Sequence, residues 1–134
     1  MINGQPPEKR EMSVRHYQEL IVWQKAMDLV LLVYGATSGF PQKEVFGLTN
    51  QLRRAAVSIP SNIAEGQGRK TTRDFVHYLS ISNGSLQELE TQVILASRLN
   101  YIDEVQQTEI LDRSAEVGRL INGLTKSLTK DDRN

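Results

Sequence analysis

Asp74 and His77 stand three residues apart, a spacing that sets a carboxylate and an imidazole on one face of a helix. Di-iron bundles build their sites from such units, with Glu-x-x-His pairs on two helices and a further carboxylate from each of two others. The only other histidine, His16, has no carboxylate three residues before it. The ligand set is incomplete, and a helix-start aspartate beside a surface histidine accounts for the pair, so no metal site is expected. Ser58, Ser61, Ser80, Ser82 and Ser85 offer hydroxyls, but no Gly-x-Ser-x-Gly elbow frames any of them. Gly66-Gln67-Gly68-Arg69-Lys70-Thr71 has the residue types of a phosphate loop. It lacks the four-residue gap before Gly-Lys-Thr, and no strand pattern precedes it, so it reads as a helix terminator and turn. Glu88 and Glu90 are two apart and diverge around a helix. The chain has no cysteine, which excludes disulfides, thiolate catalysis and cysteine-held zinc. The expectation is a protein that is not an enzyme and carries no cofactor.

Binding chemistry is better represented. The 16 basic and 16 acidic residues cancel, which excludes a polycation acting through net charge. Their distribution is polarised. Gly47 to Arg73 holds five basic residues, Arg53, Arg54, Arg69, Lys70 and Arg73, against the single acid Glu65. Asp74 to Val117 holds Arg98 and Arg113 against eight acids. The five cations are the candidate nucleic-acid contacts, and the cluster at 69–73 sits at a glycine turn and a helix start, where backbone donors also favour anions. Pairing with the acidic half of a neighbouring helix or subunit is the competing reading. Aromatic residues are few and fall mostly on apolar faces, so recognition by base stacking is not expected.

Gln51, Arg54, Ser58, Asn62, Glu65 and Arg69 recur at spacing 3-4-4-3-4, a polar stripe along one helix. It is either a solvated face or a subunit interface or ligand-facing groove. Short amides, hydroxyls and arginines stand where surface helices usually carry lysine and glutamate. A matching polar and small series, Ser80, Asn83, Gly84, Gln87 and Glu90, lies in the next segment. Gln51, Arg54, Ser58, Asn62 and Glu65 are therefore the candidate oligomer contacts.

Four helical segments must position these residues. The first spans about Leu20 to Thr37, and its apolar residues are wider than one stripe, which predicts burial on more than one side. Ser38-Gly39-Phe40-Pro41 ends it. The second starts at Gly47 or Leu48, with Leu48, Leu52, Ala55, Ile59 and Ile63 on one face. Pro60 lies inside that pattern and either breaks it in two or kinks it; the unbroken phase favours a kink. The third opens at Thr71 or Thr72, with Asp74 completing a capping pattern, and runs to Leu99-Asn100. The fourth follows Asp103 as N-cap, with Ile110, Ser114, Val117, Ile121, Leu124 and Leu128 in phase. Strand-like alternation is absent. The fold expected is an all-α, antiparallel up-down four-helix bundle over residues 17–128, with a flexible tail at 1–16 and a frayed one at 129–134. No apolar run approaches the roughly 18 residues of a membrane span, and the N-terminus has no signal-peptide core. With the lack of cysteine, this fits a cytoplasmic protein with no membrane partner.

The stretch Leu20-Ile21-Val22-Trp23-Gln24-Lys25-Ala26-Met27-Asp28-Leu29 resembles the opening helix of the proteins encoded within intervening sequences of bacterial 23S ribosomal RNA genes. The run from Gly47 to Gly66, with Arg53, Arg54, Ser58, Pro60, Ser61, Asn62 and Glu65, resembles that family's most distinctive motif, and Gly84 to Gln92 its third helix. The resemblance implies a four-helix bundle assembled into a ring-like homopentamer. It also implies kinship with accessory proteins of diversity-generating retroelements, which bind nucleic acid and a reverse transcriptase through a basic surface. The function expected is a homo-oligomeric nucleic-acid or ribonucleoprotein accessory module. The alternative is a protein-binding scaffold oligomer with no nucleic-acid role.

Overall fold

The computed structural model describes residues 16–133. The tail expected at 1–16 lies outside them except for His16, as does Asn134. A short 3₁₀ turn, His16–Glu19, leads into α1, Ile21–Thr37. A second 3₁₀ turn, Gln42–Glu44, precedes α2, Leu48–Gln67; α3, Thr72–Arg98, and α4, Glu104–Arg133, follow. Residues 129–133, expected as a frayed tail, continue α4. There, the Thr129 hydroxyl donates back to the Thr125 carbonyl at 3.0 Å.

Each helix packs on the next, and α4 closes against α1, so the four surround one core. Among the described residues there is no strand. Val22, Ala26, Leu29 and Val33 of α1 meet Leu52, Ile59 and Ile63 of α2, Leu79, Leu86, Leu89 and Val93 of α3, and Ile110, Val117 and Ile121 of α4. Fully burying one such Leu or Ile stabilises the fold by about 1.5–3 kcal/mol. Pro60 is buried within an unbroken α2, which removes the two-helix alternative.

The ends are built locally. Thr71 Oγ1 accepts from the Asp74 amide at 3.1 Å and opens α3. Asp103 Oδ1 accepts from the Gln106 amide at 2.7 Å, and Gln106 Oε1 accepts from the Asp103 amide at 3.1 Å. This reciprocal box opens α4 and satisfies two otherwise orphaned donors. Asn100, at φ 62°, closes α3. The Tyr101 amide donates to Ala96 O and the Asn100 amide to Ser97 O, the paired bonds of a left-handed helix stop.

That stop aims Tyr101 at the loop between α1 and α2. Its hydroxyl donates to Glu44 Oε2 at 2.8 Å, while Glu44 Oε1 accepts from the Leu48 amide at 3.0 Å and so caps α2. The two loops at this end of the bundle are thereby tied together. Phe40 adds a ring contact with Tyr101 at 5.3 Å between centroids. The hydrogen bonds from the Leu48 amide and from Tyr101 hold the Glu44 carboxyl below its usual range, and the same carboxylate pushes the Tyr101 phenol above its own.

Candidate functional site

The five candidate cations occupy different environments. Arg53 is half-buried and folded back on α1. Its Nε donates to Thr37 Oγ1 at 2.8 Å, one Nη donates to Tyr34 O at 3.4 Å, and its guanidinium lies 4.4 Å from the centre of the Tyr34 ring. A cation on the last carbonyls of a helix complements its dipole, so Arg53 serves the C-terminus of α1. Arg69 pairs with Glu65 one turn earlier, donates to the Tyr78 hydroxyl and lies over the Tyr78 ring. Arg54, Lys70 and Arg73 are exposed, and none is paired with an acid among the described residues.

Lys70 and Arg73 flank the α2–α3 turn, and Arg54 lies 15 residues before Arg69, about 22 Å along the helix. The register of α3 on α4 adds to this end. Ser114 Oγ donates to Glu90 Oε2 at 2.7 Å and Ser97 Oγ to Gln107 Oε1 at 2.8 Å. Continued along both helices, that pairing sets Lys126 level with Tyr78 and Lys130 level with Asp74. Both lysines are exposed. Sequence reading missed them as partners of the 69–73 cluster because they lie more than fifty residues away; the positive charge beyond Val117 was the available signal.

The polar stripe of α2 turns toward α3. The Ser58 and Ser85 hydroxyls share a hydrogen bond of 2.8 Å, and Asn62 Nδ2 donates to both Ser58 O and Ser58 Oγ. The fully buried Ser82 donates to Ile59 O at 3.0 Å. Ser58 and Asn62 are thus hydrogen-bonded within the protomer, while Gln51, Arg54 and Glu65 remain exposed. The same seam holds one unsatisfied atom, the buried Oε1 of Gln92, level with Gln51.

The apolar surface lies on α1. The expectation that α1 is buried on more than one side is met only in part within the protomer: Ile21, Met27, Leu31 and Tyr34 are exposed. The face carrying Val22, Ala26, Leu29 and Val33 is fully buried, and Trp23, Val30, Leu32 and Ala36 on either side of it are half-buried against the same core. Beside the uncovered row, Trp23, Met27, Val30, Val57, Pro60, Ser61 and Ala64 line a groove between α1 and α2.

Asp74 and His77 are both exposed near the start of α3, where His77 makes an edge contact with the Tyr78 ring. Among the described residues no group of three or more His, Cys, Asp or Glu side chains is placed to hold a metal ion. No helix among them is long and apolar enough to cross a membrane.

Comparison with known proteins agrees with this architecture. A solved structure from Bacteroides thetaiotaomicron VPI-5482, a protein of unknown function from the S23 ribosomal protein family, superposes with a TM-score of 0.71 at 25% identity. The match covers 79% of this chain and 99% of that one. A comparison with curated proteins finds no match. The family model for the 23S rRNA-intervening sequence protein matches residues 18–123, which takes in α1 to α3 and most of α4. The chain belongs to the 23S rRNA-intervening sequence protein family.

Proposed function

We propose that this protein is a non-enzymatic, homo-oligomeric module of the cytoplasm that binds structured nucleic acid, or a ribonucleoprotein, through the α2–α3 end of its bundle. The observation that carries this reading is the pair Lys70 and Arg73, exposed and without an anionic partner among the described residues, with Lys126 and Lys130 on the adjoining part of α4 and Arg54 about 22 Å away along α2. Such a set on one protomer supports weak phosphate binding. In a ring-like homopentamer, the assembly implied by the family resemblance, it would repeat around a rim and gain from multivalency. The implied kinship with retroelement accessory proteins agrees with a partner made of nucleic acid and a reverse transcriptase.

The test is fluorescence anisotropy on labelled structured RNA and duplex DNA across a salt series. Lys70→Glu with Arg73→Glu should weaken binding at least about tenfold and lower the salt slope by about 2 on duplex DNA, since each phosphate contact contributes about 0.9. Both residues are exposed and make no ion pair among the described residues, so the fold should be unaffected. Unchanged affinity and slope would refute the nucleic-acid reading.

A second reading, a protein-binding scaffold oligomer, is favoured by the uncovered row Met27, Leu31 and Tyr34. Exposed apolar rows of this kind mark protein contacts. Light scattering separates the readings. Met27→Asp with Leu31→Asp should dissociate the assembly, whereas Lys70→Glu with Arg73→Glu should leave it intact. Loss of assembly in the second pair would instead assign those cations to subunit contacts.

A further inference from the structure

Phe46 is 93% exposed, the most exposed large apolar side chain among the described residues. It does not sit on a slack loop. Glu44, two residues earlier, bonds the Leu48 amide and the Tyr101 hydroxyl at once. The Val45 amide donates to Gln42 O and the Gly47 amide to Glu44 O. A Cβ on Gly47 would fall 2.7 Å from Glu44 Oε1, so the backbone is drawn close around that carboxylate. Val45, half as exposed, stands beside Phe46. An aromatic held out to solvent on a braced turn loses little freedom when it is gripped, which is what binding anchors require.

The same chain carries a receptor of matching chemistry. The groove between α1 and α2 has a volume of about 340 Å³ and no charged residue in its lining. Its walls are Trp23, Met27 and Val30 on one side and Val57, Pro60 and Ala64 on the other. A protomer cannot seat its own Phe46 there. The nearest α2 residue of the groove, Val57, lies nine residues into the helix from Leu48, about 13 Å beyond the turn that carries Phe46.

We infer that Phe46 and Val45 of one copy dock in the α1–α2 groove of a second copy. This rests on the assembly reading above and names the contact that builds the assembly. One chain bearing an uncharged knob and an uncharged socket meets the condition for self-association, whereas a foreign partner would leave one of the two unfilled. The knob alone does not make a whole interface. A buried aromatic contributes about 150–250 Å², well short of the roughly 800 Å² per partner of a standard interface. The exposed Met27 lies on the groove's α1 wall, with the exposed Leu31 one turn further along α1, and the two extend the contact in that direction.

The absence of cysteine makes the test direct. Phe46→Cys and Val57→Cys proteins are mixed under glutathione redox buffer, and the disulfide-linked peptides are identified by mass spectrometry. A 46–57 link between chains is the expected product, since disulfides form only when the Cα atoms approach within about 7 Å. Phe46→Ala, read by analytical ultracentrifugation, should raise the dissociation constant at least about thirtyfold, the effect of a binding hot spot. Its melting as a protomer should be unchanged, because the side chain is exposed. An assembled sample that gives no 46–57 link, or a Phe46→Ala protein that assembles like the parent, overturns the inference. A parent protein that is monomeric at every concentration overturns the assembly reading itself.

Discussion

Gly66 lies at a close approach of α2 and α3, and its replacement by alanine has a sign that can be worked from the coordinates. The added Cβ would fall 2.7 Å from Tyr78 Cβ, 3.0 Å from Phe75 Cδ1 and 3.3 Å from Phe75 O. Carbon pairs are most stable at about 3.5–4.0 Å, so the deficit at Tyr78 is about 1 Å. Tyr78 Cβ is bonded to the α3 backbone and cannot rotate away. The two helices must part at the turn that presents Lys70 and Arg73. Overpacking of this kind costs about 1–3 kcal/mol. Alanine returns at most about 1 kcal/mol of helix propensity, and less than that in the last turn of α2. The net expectation is a loss of about 1–2 kcal/mol, or about 4–8 °C in Tm for a chain of this size. Gly84→Ala is the control. A Cβ there meets nothing within 4 Å in the middle of α3, so the same substitution should gain about 0.5–1 kcal/mol. Guanidinium unfolding followed by circular dichroism, at one fixed protomer concentration, reads both. A Gly66→Ala protein as stable as the parent would refute the close-approach argument.

Three further outcomes are expected. Arg53→Lys should fail to replace arginine and cost about 1 kcal/mol in the same unfolding assay, because an ammonium cannot hold the Thr37 hydroxyl and the Tyr34 carbonyl while lying on the Tyr34 ring. Stability should fall on acidification through the depressed Glu44 range, since a carboxyl held low stabilises the fold only while ionised; it should also fall as strong alkali ionises Tyr101, whose raised range favours the folded state only while the phenol keeps its proton. Glu44→Gln should flatten the acid limb and Tyr101→Phe the alkaline limb of a Tm-against-pH curve. Asn100→Ala should cost about 1–2 kcal/mol by thermal melting, because alanine disfavours the left-handed conformation that asparagine tolerates there.

The helices were legible because their information is local. Leu48, Leu52, Ala55, Ile59 and Ile63 keep one phase through Pro60, and Asp103 announces α4 by residue type alone. What sequence could not supply is the neighbour across a gap. The spacing of Ser58 and Asn62 marks a stripe, but Ser85, the partner of Ser58, is 27 residues away. Arg53 and Arg54 are adjacent cations of equal appearance; only the position of α1 separates the one that caps a helix from the one left free. The surplus apolar width of α1 is met in part: Trp23 and Val30 are half-buried, while no element among the described residues lies over Met27 and Leu31. Gln106, which completes the α4 box, was legible as well, since it stands three residues after Asp103 at the capping-box spacing.

The unequal lengths of the helices have a dynamic consequence. The contacts of Arg113 with Asp28 and of Lys25 with Glu116 set the start of α1 level with Leu120 of α4. From there α4 runs on to Arg133, and Ile121 is its last buried residue among those whose burial is described. Amide protection should therefore be stepped, with slow hydrogen exchange up to Ile121 and progressively faster exchange beyond it, where only the half-buried Leu124 and Leu128 still pack on the core. Lys126 and Lys130 ride on that quickly opening segment. A polyanion that gripped them would slow deuterium uptake there while leaving the protected half of α4 unchanged, so the helix would report contact at its far end through its own opening rate.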